Sequence, residues 1–144
     1  MARTTINLGA TIIMSVFTST VIINKPADKV YQFLADMNNH RQLMPDNITD
    51  WMSTADVASF NIENVTKLSL KIDHRITNRE IRIVPAEKPP FEMELLWVLA
   101  EAGADTEATF TITADLNMLM KMMASGPLQK LVNEETQRLA VSIV

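Results

Sequence analysis

The sequence predicts a single α+β domain, and three observations predict it. One apolar helical stripe lies early in the chain, period-two alternation runs from about residue 48 to 115, and helical spacing returns from Leu116 onward. With 144 residues, 47% of them apolar, the chain can bury roughly two thirds of its unfolded surface. It leaves no room for a second domain. The expected organisation is a loosely ordered N-terminal arm over residues 1–15 and one domain over residues 16–144.

The first strand is expected over Val16–Ile23, where β-branched and aromatic residues dominate, and Asn24-Lys25-Pro26 stops it. Pro26 suits the first turn of a helix, whose N–H groups have no intrahelical partner. Val30, Phe33, Leu34 and Met37 then share one face, and that helix should end near Asp36. Asn38 or Asn39 could cap a second short helical turn through His40 to Met44, which Pro45 ends.

Strands with one buried and one wet face follow. Short ones cover 48–53 and 57–62. The clearest, 66–76, places Leu68, Leu70, Ile72, His74 and Ile76 on one face. Ile81 and Ile83, then Met93, Leu95, Trp97 and Leu99, then Ala108, Phe110, Ile112 and Ala114 point inward in the next three. A two-residue loop at Thr77-Asn78 would set Arg75 against Glu80, Asp73 against Arg82 and Ile72 against Ile83. Arg75 and Arg82 then read as members of a mixed-charge ladder. The last segment reads as two helical pieces around Ser125-Gly126-Pro127, the second carrying Leu128, Leu131, Val132 and Leu139 at helical spacing.

Composition excludes several chemistries. Lys plus Arg number 13 against 17 Asp plus Glu, a net charge of -4 that disfavours nucleic acid as a partner. There is no cysteine for a disulfide, a thiolate nucleophile or a thiolate metal site. Three glycines cannot build a phosphate loop or a Gly-x-Ser-x-Gly elbow. His40 and His74 stand too far apart for a helical metal pair, so neither a metal nor a cofactor is expected. Polar residues from Thr11 to Asn24 interrupt the most apolar region, so membrane insertion is not expected. Arg3 with the apolar run Leu8–Phe17 has a leader-like look, yet no small-x-small cleavage site follows, and the expected location is cytoplasmic.

The order strand, helix, short helix, six antiparallel strands, terminal helix, together with Val21-Ile22-Ile23-Asn24-Lys25-Pro26-Ala27-Asp28-Lys29-Val30, Phe33-Leu34-Ala35-Asp36 and Asn38-Asn39-His40-Arg41-Gln42-Leu43-Met44-Pro45, resembles the START-like helix-grip superfamily. That superfamily includes the birch-pollen allergen, lipid-transfer and polyketide cyclase relatives. The resemblance implies a helix-grip fold: a seven-stranded curved antiparallel sheet wrapped around a C-terminal helix, with two short helices between strands 1 and 2. It also implies an apolar cavity between sheet and helix that takes lipids, sterols or polyketides.

The candidate ligand-binding residues are Trp51, Leu70, Ile72, His74, Met93, Trp97, Phe110, Met118 and Met122. The aromatic and methionine side chains would supply contact area. His74, expected inward and with burial lowering its pKa, would give a directional hydrogen bond. It is also the one catalytic candidate, for which Glu135 would serve as partner. Ten methionines can equally fill space. A void of roughly 300 Å³ at about 24 cal/mol per Å³ would cost on the order of 7 kcal/mol, so either a guest occupies such a space or side chains close it. The leading expectation is binding of a small hydrophobic molecule, lipid-like or polyketide-like. The alternatives are a cyclase or dehydratase-like enzyme using His74 for proton transfer, and a partner-binding domain without a ligand.

Overall fold

The structure, a computed structural model, describes the backbone of residues 2–7 and 10–144 and the side chains of residues 14–144. Strands β1 (Ala2–Asn7) and β2 (Ala10–Ile23) are followed by α1 (Ala27–Leu34), α2 (Met37–His40) and a 3-10 turn (Arg41–Leu43). Six more strands follow: β3 (Ile48–Ser53), β4 (Val57–Ile62), β5 (Thr66–Ile76), β6 (Glu80–Pro85), β7 (Met93–Ala102) and β8 (Asp105–Ala114). The chain ends in α3 (Met118–Ser142).

All neighbours are antiparallel in one sheet of order β1-β2-β8-β7-β6-β5-β4-β3. The seven expected strands are present, and β1 adds an eighth on the outer edge of β2. Strand pairing thus reaches into the segment assigned to an arm. Within that segment Met1, Leu8 and Gly9 lie outside the described residues.

The inward faces of β6, β7 and β8 are those the alternation predicts, with Ile81, Ile83, Met93, Leu95, Trp97, Leu99, Ala108, Phe110, Ile112 and Ala114 all buried. Trp97 and Phe110 are directly opposed across β7 and β8 and stack at 4.3 Å between ring centroids. Gly103, at φ 66, supplies the left-handed residue in the two-residue turn that closes Ala102 against Asp105.

Three local details correct the expectations. Asp36, not Asn38 or Asn39, caps α2, accepting the Asn38 N–H at 2.9 Å. The terminal segment is one helix of 25 residues with Pro127 inside it. Proline removes a single helical hydrogen bond, and the buried stripe Leu128, Leu131, Val132 and Leu139 holds the continuation against the sheet.

The third correction is at β5. Ile72 faces Ile83 as expected, but a bulge follows, so His74 faces Arg82, Arg75 faces Ile81 and Ile76 faces Glu80. Asp73 still reaches Arg82 at 2.8 Å, and Glu94 does so from β7 at 2.8 Å, so Arg82 belongs to a mixed-charge ladder. Arg75 leaves it. One extra residue flips the faces, so Arg75 lies opposite the buried Ile81 and reaches the Ala35 carbonyl at 2.9 Å and Asp56 Oδ1 at 2.7 Å.

Candidate functional site

Helical spacing in α3 puts Glu135 on the same side as Leu128, Leu131, Val132 and Leu139, so the helix that closes the core also carries a carboxyl into it. Glu135 is 2% exposed. Its carboxyl makes no hydrogen bond or ion pair among the described residues, and burial alone pushes its pKa well above the usual carboxylate range. The group is therefore held toward the neutral acid, a hydrogen-bond donor.

The second polar group comes from α2. His40 is 2% exposed, and its Nε2–H donates to the Leu34 carbonyl at 2.7 Å. That carbonyl lies at the end of α1, where no backbone N–H of the helix remains to pair with it. Burial lowers the His40 pKa, opposed by the Leu34 hydrogen bond and the charge of Asp36. The ring is thus held toward the neutral tautomer with hydrogen on Nε2, which leaves Nδ1 as an acceptor.

Both groups line one cavity between the sheet and α3. Its sheet wall is Phe60, Leu70, Ile83, Leu95 and Phe110, while Leu131 and Glu135 come from α3. Met37, His40 and Met44, from α2 and the turn after it, and Trp51 of β3 complete it. Only Met44 and Trp51 in this set are partly exposed, so they form its rim. The cavity measures about 20 Å³, the size of one water. At about 24 cal/mol per Å³ such a space costs only about 0.5 kcal/mol, far below the roughly 7 kcal/mol of a 300 Å³ void. Sheet and helix therefore close on each other in this structure, and the roomy compartment implied by the resemblance is absent from it.

Two sets of contacts hold α2 over the site. Trp51 stacks on Phe60 at 5.3 Å, its Nε1–H donates to Ser53 Oγ at 3.0 Å, and the Ser53 hydroxyl donates to Asn38 Oδ1 at 2.7 Å. On the other side the Met37 N–H donates to the Ala55 carbonyl at 2.9 Å, beside the Arg75 contacts to Ala35 and Asp56.

Of the residues singled out in the sequence, Trp51, Leu70 and Phe110 line this cavity. Ile72, Met93 and Trp97 are buried in the surrounding core, Trp97 behind Phe110, but do not line it. His74 is a correction: the bulge carries its side chain outward to 46% exposure, 3.5 Å from Glu80 Oε2, away from Glu135. Met118 and Met122 are corrections too, at 78% and 80% exposure. In the first ten residues of α3 only Ala124 is buried, and the buried stripe resumes at Leu128.

His40 was not singled out, because a turn of four residues has no periodicity to reveal which side is buried. Glu135 was legible as an acid on an apolar helical stripe.

No family model matches the chain, and no curated protein matches it either. Solved structures do. The KanY protein superposes with a TM-score of 0.73 at 14% identity, covering 89% of this chain and 96% of that one. Zhui aromatase/cyclase from Streptomyces sp. R1128 gives 0.72 at 15% identity, covering 89% and 92%. XoxI from Bacillus cereus gives 0.71 at 12% identity, covering 90% and 95%. The fold is a helix-grip. At these identities the likeness carries the fold alone. Among the described residues no helix is long and apolar enough to cross a membrane.

Proposed function

We propose that this helix-grip protein is a cytoplasmic START-like member that binds a small hydrophobic molecule between sheet and α3, entering past Met44 and Trp51. The observation that carries the reading is Glu135, a buried carboxyl with no partner among the described residues, facing a cavity whose other walls are almost wholly apolar. In a core built only for packing such a group is a net cost, since an unpaired buried polar group loses about 1–3 kcal/mol relative to water. A guest carrying one polar atom would satisfy it.

The walls can move to admit one. Met37 and Met44 are unbranched and adapt their shape, and α2, which carries Met37 and His40, is a single short turn. Zhui aromatase/cyclase shares the fold, which supports a small-molecule role of this kind. Proton transfer through His74 is not carried forward, because that side chain stands outside the cavity.

Native mass spectrometry of the protein purified from its own host tests the reading. An adduct of a few hundred daltons, lost on organic extraction, is the expected result. Protein that shows no adduct and also takes up none from a panel of apolar compounds would refute it.

A further inference from the structure

We infer that the cavity lined by both Glu135 and His40 holds a hydroxyl subsite, so that the guest is an uncharged alcohol or phenol with an apolar body. This rests on the ligand-binding reading above. Three observations converge on it. The space left in the closed cavity, about 20 Å³, matches one water or one hydroxyl. Its lining offers two polar side chains, Glu135 and His40, both almost fully buried and neither ion-paired among the described residues. They are also complementary. A neutral Glu135 donates, while His40, with Nε2–H committed to the Leu34 carbonyl, accepts at Nδ1.

A hydroxyl group answers both at once, accepting from one and donating to the other. A ketone would accept from Glu135 and leave Nδ1 without a donor. A carboxylate would bring a charge among Phe60, Leu70, Ile83, Leu95 and Phe110 with no cation to meet it. The stacked Trp51 and Phe60 and the nearby Phe110 favour a flat apolar body over the hydroxyl.

The test is a calorimetric titration of the whole protein at neutral pH with 2-naphthol, 2-methylnaphthalene and 2-naphthoate. Wild type should bind 2-naphthol about tenfold tighter than 2-methylnaphthalene, as expected for two net hydrogen bonds, and should not bind 2-naphthoate measurably. Glu135→Leu should erase the tenfold preference while still binding 2-methylnaphthalene, and Glu135→Gln should keep part of it. Equal affinities for 2-naphthol and 2-methylnaphthalene in wild type would overturn the hydroxyl subsite and leave the hydrophobic site standing. A preference that survives in Glu135→Leu would overturn the role of Glu135. Failure to bind any of the three would count against both readings.

Discussion

His40 Nε2–H meets the Leu34 carbonyl at 2.7 Å, and this one hydrogen bond ties the end of α1 to the roof of the cavity. It also fixes which imidazole nitrogen is left over. Replacing His40 with Leu strands the Leu34 carbonyl in a buried site, at a cost of about 1–3 kcal/mol. Urea denaturation of His40→Leu should show that loss, and an unchanged midpoint would mean the carbonyl finds another partner.

The raised pKa of Glu135 has a definite sign in the pH dependence of stability. Because the folded state holds this proton more tightly than the unfolded chain, its contribution is full below the ordinary value of 4.5 and is lost as pH rises toward the raised value. His40 acts oppositely: its lowered pKa makes folding less favourable as pH falls below 6.5. The two groups therefore act in opposite directions, Glu135 as pH rises above 4.5 and His40 as pH falls below 6.5. No other titratable residue lines the cavity. Thermal melts should therefore show wild type losing stability relative to Glu135→Gln as pH rises above 4.5. Parallel profiles for the two proteins would contradict an acid held neutral by burial.

Glu135→Leu should also stabilise the protein at neutral pH, by about 1–3 kcal/mol, since it replaces an unpaired buried acid with a side chain that suits the walls. Denaturant midpoints check this. A loss of stability would show that the carboxyl has a partner in solution.

His74 offers the opposite case. Its side chain is 46% exposed and meets only Glu80, at 3.5 Å. Exposed pairs of this kind contribute little, so His74→Gln should shift stability by less than about 0.5 kcal/mol and leave the uptake of apolar compounds unchanged. A large effect on uptake would return His74 to the site.

That contrast shows how far the sequence could be read. Alternation located β3 to β8 and named the inward faces of β6, β7 and β8, because strict period two has one meaning in a half-buried strand. It failed past Ile72, where the bulge adds a residue to β5 and reverses the faces, turning His74 outward and bringing Arg75 to Ala35. Met118 and Met122 carried the right residue type at helical spacing, but spacing does not tell which turns of a helix are covered, and burial in α3 starts only at Ala124. Leu70 and Phe110 were legible because each lies on a strand whose pairing with a neighbour is unbroken around it, whereas Trp51, in a β3 whose register shifts between Thr49 and Met52, was legible by its residue type alone. His40 was hidden because its burial depends on α2 folding back over the sheet, a tertiary event that four residues do not encode.

The hydrogen-bonded chain Trp51–Ser53–Asn38 should behave as a latch on α2. Ser53→Ala removes both of its links, at a cost of about 0.5–1.5 kcal/mol. Amide exchange of Met37 to His40 should quicken in the variant more than exchange of the β7 and β8 core. Uniform quickening across the sheet would place the loss elsewhere.

The claim on which the account depends is that sheet and α3 part to take in an apolar guest. A methyl NMR titration of the wild-type protein with 2-methylnaphthalene tests it most directly. Saturable shifts at the Leu70, Ile83, Leu95 and Leu131 methyls, with intermolecular contacts to the ring, are the predicted result. Shifts confined to the exposed Met118, Leu119 and Met122, with the cavity methyls unmoved at saturation, would contradict it.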